Sequence, residues 1–295
     1  MPISPSLFRV GLLLTDRCNV ACGHCWFSCG PDRTETMPQA TAEKAIDQSK
    51  GLGAHWVSFT GGEPFLEPRL LLGLVRYASE KGFYTEVVTN CSWATTTEAA
   101  AETLRPLSEA GLTALNMSVD DFHQEHIPLE RVRHCFSAVK MLGVKPVFMV
   151  ATRNGSRITA GSLSNLMGDP DIQVLGEPRK PNPSALAMET PFTPIGRGGC
   201  ITPDAVVELL EAATIRCESA LADIGVTPGG DVLPCCGPLG CREDAVLGNL
   251  RDESLEQILA RAWKDDRLTR IRDGFQASGG YASRCHACYR HFGEV

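Results

Sequence analysis

From residue 8 to about 190, short β-rich apolar runs alternate with helix-period segments. The runs are FRVGLLLT, WVSFT, YTEVVTN, LTALNMSVD, KPVFMVAT and SALAMETPF. Between them lie AEKAIDQSKGLG, LLLGLVRYASEKG, EAAAETLRPLSEAG, RVRHCFSAVKMLG and a less regular helical stretch near 157–168. A strand reaches a parallel neighbour only through a crossover, so this alternation demands a parallel sheet covered by helices. Gly53, Gly82, Gly111 and Gly143 mark helix ends. About six strands are too few for a closed eight-stranded barrel. The expected fold class is α/β, a partial (β/α)6 barrel over residues 1–195.

PFTPIGRGG, from residue 191, ends the alternation and marks a domain boundary. The remainder, 196–295, is expected to begin with a helix at Thr202-Pro203, a sound cap and first-turn pair. A cysteine-bearing segment follows over 217–241, then a helix near 254–273 and a last cysteine pair.

Thirteen cysteines in 295 residues do not suit a disulfide scaffold, a device of small secreted domains without a core. Metal or redox chemistry is the better reading. A formal net charge of −7 with no block of lysines or arginines gives no footprint for nucleic acid or an anionic membrane surface. The only apolar run near the start, Val10 to Leu14, is too short for a signal peptide or a membrane span, so a cytoplasmic protein is expected.

The polar motifs sit just past strands: DRC after Leu14, GGE after Thr60, Asn90 after Thr89 and Asp120 after Val119. That rim is where α/β architectures collect ligands. Cys18-x3-Cys22-x2-Cys25 places three thiolates in one loop. An iron–sulfur cluster ordinarily takes four, so three leave one iron open. Zinc is the alternative, with His24 or Cys29 as fourth ligand.

The spacing C-x3-C-x2-C after a first strand resembles the signature of the radical S-adenosylmethionine (SAM) superfamily. The resemblance implies a [4Fe–4S] cluster whose open iron chelates SAM, and reductive cleavage of SAM to a 5′-deoxyadenosyl radical that abstracts a substrate hydrogen. It also implies that His24 packs near the adenine and that Gly61-Gly62-Glu63-Pro64 is the GGE motif. In that motif the glycines let the backbone approach the methionine moiety and Glu63 accepts from its ammonium group. Asn90, Ser118 and Asp120 match positions that reach the ribose and methionine carboxylate, and Arg153 is expected at the SAM carboxylate. His123 and His126 receive no ligand role.

Cys217, Gly230-x4-Cys235 and Cys285-x2-Cys288 resemble a twitch domain, the shortened relative of the SPASM domain, in which four thiolates hold an auxiliary [4Fe–4S] cluster. The longer pattern needs further cysteines, and seven residues follow Cys288, so one auxiliary cluster is expected, two in all. Four-thiolate zinc is again the alternative. Of the other cysteines, Cys29, Cys91, Cys135 and Cys200 are read as small buried hydrophobes. Cys236 and Cys241 flank an auxiliary ligand in the loop PCCGPLGC, where a thiol could donate a hydrogen atom to a substrate radical or replace Cys235 as ligand.

The resemblance thus implies oxidation or dehydrogenation, cross-linking, or epimerisation through Cys236 or Cys241. The expected substrate is a peptide of the ribosomally made (RiPP) class or a small natural product, with a flavodoxin- or ferredoxin-type reductant. Seventeen residues before Cys18 leave no room for a peptide-recognition domain, favouring a small substrate or short peptide. A non-catalytic zinc or iron–sulfur sensor is the reading from another class.

Overall fold

β1 (Arg9–Thr15) is buried along nearly its whole length and carries the cysteine loop at its C-terminal end. The computed structural model describes residues 7–201 and 210–293. β2 (Trp56–Gly61), β3 (Tyr84–Thr89), β4 (Ala114–Ser118), β5 (Lys145–Thr152) and β7 (Ala185–Pro191) follow β1 in parallel, each beside the last. These are the six expected strands. A seventh, β6 (Ile172–Val174), was not expected; it pairs in parallel with β7 at the edge. Three residues carry too little periodicity to be read.

Helices α1 (Gln39–Gly51), α2 (Pro68–Glu80), α3 (Thr97–Glu109) and α5 (Leu129–Met141) make the crossovers, with the short α4 (Asp121–Gln124) ahead of α5. α2 buries Leu71, Leu74, Val75 and Ala78, one stripe at helical spacing. The residue after each long helix's C-cap is Gly53, Gly82, Gly111 or Gly143, all at positive φ. α6 (Leu163–Met167) occupies the less regular stretch.

The same sheet continues past the expected boundary at residue 195. β9 (Asp223–Val226) pairs in parallel with the free side of β1, in register from Arg9↔Asp223 to Leu12↔Val226. β10 (Asp231–Leu233) and β11 (Gly248–Asn249) add antiparallel strands beyond it. The sheet has ten strands in the order β11-β10-β9-β1-β2-β3-β4-β5-β7-β6. β8 (Leu210–Ile215) and β12 (Phe275–Tyr281) form a separate antiparallel pair.

The helix expected over 254–273 is two, α7 (Leu255–Ala262) and α8 (Asp266–Asp273). The break falls where the Asp265 carboxylate accepts from the backbone N–H groups of Arg267 and Leu268 and so starts a new helix. α9 (Arg284–His291), capped by Ser283, carries Cys285 and Cys288 one turn apart. The helix expected at Thr202-Pro203 lies outside the described residues. Among those residues no helix is long and apolar enough to cross a membrane.

Candidate active site

The loop leaving β1 is tied back on itself. Cys18 N–H donates to Gly30 O (3.0 Å), Asp16 N–H to Glu35 O (3.0 Å), and Met37 N–H to Leu14 O (2.7 Å). Cys18, Cys22 and Cys29 are buried and Cys25 is half-buried, and all four line a cavity of about 350 Å³ at the strand ends. Burial pushes the Cys18 thiol up to about 11 and the Cys22 thiol up to about 12. Cys25 is shifted down, chiefly because the Cys29 thiol donates to it.

The GGE segment is fastened to this loop. Gly62 N–H donates to Thr15 O (2.6 Å) and Glu63 N–H to Arg17 O (3.0 Å). A Cβ on Gly61 would stand 2.4 Å from Thr15 O, and one on Gly62 2.0 Å from Arg17 O. The two glycines are therefore required by the chain's own packing, and both line the cavity. Glu63 and Pro64 do not. The Glu63 carboxylate accepts from Thr89 Oγ1 (2.9 Å), Asn90 N–H (2.8 Å) and Phe65 N–H (3.2 Å). Complete burial holds its carboxyl up near 7 despite these donors. Expected as an acceptor for SAM, it joins the GGE turn to the end of β3. Asn90 lines the cavity, with Nδ2 donating to Asn19 Oδ1 (2.9 Å) and lying 3.7 Å from the Cys18 sulfur.

Ser118 and Asp120 also line the cavity. Asp120 is the N-cap of α4, accepts from His123 N–H (3.0 Å) and Ala151 N–H (3.2 Å), and holds His123 Nδ1 at 2.9 Å from both its oxygens. Burial raises the Asp120 carboxyl, but His123 outweighs it and the net shift is downward. Burial likewise lowers His123 while Asp120 drives it up. His24 stacks on Phe122 at 4.5 Å and meets His123 edge-on at 4.8 Å; burial depresses it to about 4. Its Nδ1 is buried without a partner. Arg153 is not in the cavity wall. Its guanidinium lies 4.7 Å from the Phe122 ring centre and 3.3 Å from Glu125 Oε1.

Sequence reasoning missed His123 and the cavity floor. His123 follows Asp120 by three residues, the spacing that puts both on one helix face. On the floor, inward-facing alternate residues of β1, β3 and β4 bring together Arg9, Glu86 and Asn116. Arg9 donates to Glu86 (2.8 Å) and, through Nε, to Asp223 of β9 (2.7 Å); Asn116 donates to Glu86 (3.2 Å). Cys236 lines the same floor, its thiol donating to Ile224 O (3.0 Å). Burial drives that thiol upward, so it stays protonated. Gly11 makes the space: a Cβ there would be 2.5 Å from the Cys236 sulfur. Cys241 does not line the cavity; it ends a 3-10 turn (Pro238–Cys241), within electrostatic reach of Cys235 and Cys25.

Cys217, Cys235, Cys285 and Cys288 gather between β10, the β8–β9 connection and α9, and each of the last three feels charge from others of the set. Among the described residues, one group of three or more potential ligand atoms lies within 4.8 Å of one another, His24–Asp120–His123. Neither cysteine set is drawn so tightly.

The family model "Radical SAM superfamily" matches residues 12–145, and the SPASM model, "Iron-sulfur cluster-binding domain", matches residues 217–289. "Putative peptide biosynthesis protein YydG" of Bacillus subtilis (strain 168) is 22% identical over 258 residues, covering 85% of this chain and 76% of that protein. "GTP 3',8-cyclase" of Chlorobaculum tepidum is 32% identical over 117 residues, 39% of this chain and 34% of its own length. The fold is similar to that of Streptococcus suis SuiB bound to S-adenosylmethionine (TM-score 0.59, 15% identity, 90% of this chain and 67% of that one). It is also similar to that of BtrN in complex with AdoMet and 2-DOIA (TM-score 0.55, 16% identity, 92% and 87%).

Proposed function

The chain belongs to the radical SAM superfamily and is an enzyme of that kind, and from that premise we propose that it epimerises a peptide, with the Cys236 thiol as hydrogen-atom donor. Its cofactors are SAM and [4Fe–4S] clusters. We assign Cys18, Cys22 and Cys25 to the SAM-binding cluster, and Cys217, Cys235, Cys285 and Cys288 to the auxiliary one. Residues 1–195 and 196–295 are taken as the catalytic and auxiliary parts.

The orphaned His24 Nδ1 in the cavity wall suits a heteroaromatic ligand such as adenine. Gly61, Gly62, Asn90, Ser118 and Asp120 supply the polar wall that the rest of SAM needs. When bound, SAM and the reduced cluster supply the radical that removes hydrogen from the substrate. The chain's own residues then decide the product. Cys236, protonated and on the cavity floor, gives its hydrogen atom to the substrate carbon; the C–H bond forms as the S–H bond breaks. One electron and one proton then restore the thiol, the electron from a flavodoxin- or ferredoxin-type protein. The likeness to YydG supports a peptide substrate.

The observation that carries this reading is the placement of Cys236, and not Cys241, in the cavity shared with Cys18, Cys22 and Cys25. The auxiliary cysteines favour a second reading, in which their cluster accepts an electron and the product is dehydrogenated or cross-linked. Reaction of reduced, reconstituted enzyme with SAM and a panel of short peptides in D2O separates the two. Epimerisation adds one deuterium per product, lost in Cys236→Ala while 5′-deoxyadenosine still forms. A product two hydrogens lighter with no deuterium overturns it.

A further inference from the structure

The segment that closes the parallel strands, PFTPIGRGG, takes no part in the chemistry proposed above, yet it lies against the first cysteine loop. Gly196 is at φ +55°, and a Cβ there would stand 2.1 Å from Trp26 O and 2.7 Å from Cys25 O. Its successor's backbone N–H donates to Cys25 O (3.1 Å). The Arg197 side chain then spans the loop, Nη1 donating to Cys22 O (2.8 Å) and Nη2 to Cys29 O (2.6 Å). One residue therefore grips the loop at three points, its guanidinium before and after Cys25 and its backbone N–H at Cys25 itself. Its planar fork reaches two carbonyls at once, which a lysine ammonium does not.

We infer that Arg197 is the positioning residue of the first cluster, fixing the loop that presents Cys22 and Cys25 and placing a permanent positive charge beside it. The inference rests on the assignment of Cys18, Cys22 and Cys25 as ligands. Three thiolates and their cluster carry net negative charge, which grows on reduction. A nearby fixed cation favours the reduced form and raises the potential. Half-buried and donating to carbonyls rather than to carboxylates, Arg197 keeps that charge uncancelled.

The test compares reconstituted wild type, Arg197→Lys and Arg197→Gln, each with and without Cys18, Cys22 and Cys25 replaced by alanine. Iron retention against a chelator and potentiometric titration followed by electron paramagnetic resonance are the readouts. Arg197→Gln is expected to retain the first cluster about ten-fold less well, to keep the auxiliary cluster, and to shift the first cluster to a more negative potential. Arg197→Lys restores the potential toward wild type but not the retention. Wild-type retention and potential in Arg197→Gln overturn the inference. So does equal loss of both clusters, which marks a general folding defect. A triple-alanine chain holding as much iron as wild type overturns the ligand assignment itself, and the inference with it.

Discussion

Asn90 Nδ2, at the end of β3, lies 3.7 Å from the Cys18 sulfur, at the end of β1. It also holds Asn19 Oδ1 at 2.9 Å, so a side chain two strands away fixes the first cysteine of the loop. Hydrogen bonds to cluster sulfurs raise the reduction potential. Asn90→Ala is expected to lower the potential of the first cluster and Asn90→Asp to lower it further. Redox titration of both, with the auxiliary cluster as internal reference, checks this.

Gly11 and Cys236 compete for one space. Gly11→Ala is expected to cost about 1–3 kcal/mol of stability through overpacking. In a Cys236→Ala background most of that cost disappears. A double-mutant cycle on the cluster-free chain, followed by denaturant unfolding, measures the coupling.

The Asp120–His123 pair gives a pH signature. Asp120 is held below its ordinary range and His123 above it, so the pair contributes fully between the unfolded values near 3.9 and 6.5. The Asp120 share is lost as pH falls through its lowered value, and the His123 share as pH rises through its raised one. His123→Gln is expected to cost roughly 1.5–3 kcal/mol near pH 6 and much less once pH has risen through the raised His123 value. Unfolding of the cluster-free chain across pH reads this directly.

Arg9 serves two carboxylates, Glu86 and Asp223, with 31% of its own side chain exposed. Arg9→Met leaves both uncompensated beside one another and is expected to cost about 1–3 kcal/mol. Adding Asp223→Asn recovers part of the loss. Equal melting temperatures for the single and double variants would contradict this account.

The strands and long helices were legible because parallel strands read as apolar runs and crossover helices end in glycine. That Cys18, Cys22 and Cys25 share a rim with Gly61 and Gly62 was legible from their places at or just past the ends of β1 and β2. The partners of Glu63 and Arg153 were not legible in the pattern: Thr89 and Asn90 donate to one, and Phe122 and Glu125 hold the other. Cys236 could be proposed from sequence but not separated from Cys241, because that depends on the space left at Gly11. The pairing of β9 with β1 was invisible, as no local period encodes a contact 214 residues away.

That pairing also sets an order of events. β1 must wait for a partner strand that lies 214 residues further along the chain, so the sheet around it closes only after that stretch has been synthesised. Until then the Cys18 loop hangs from a strand with one open edge. A chain stalled on the ribosome before Asp223 is expected to expose the free edge of β1 to pairing with other chains.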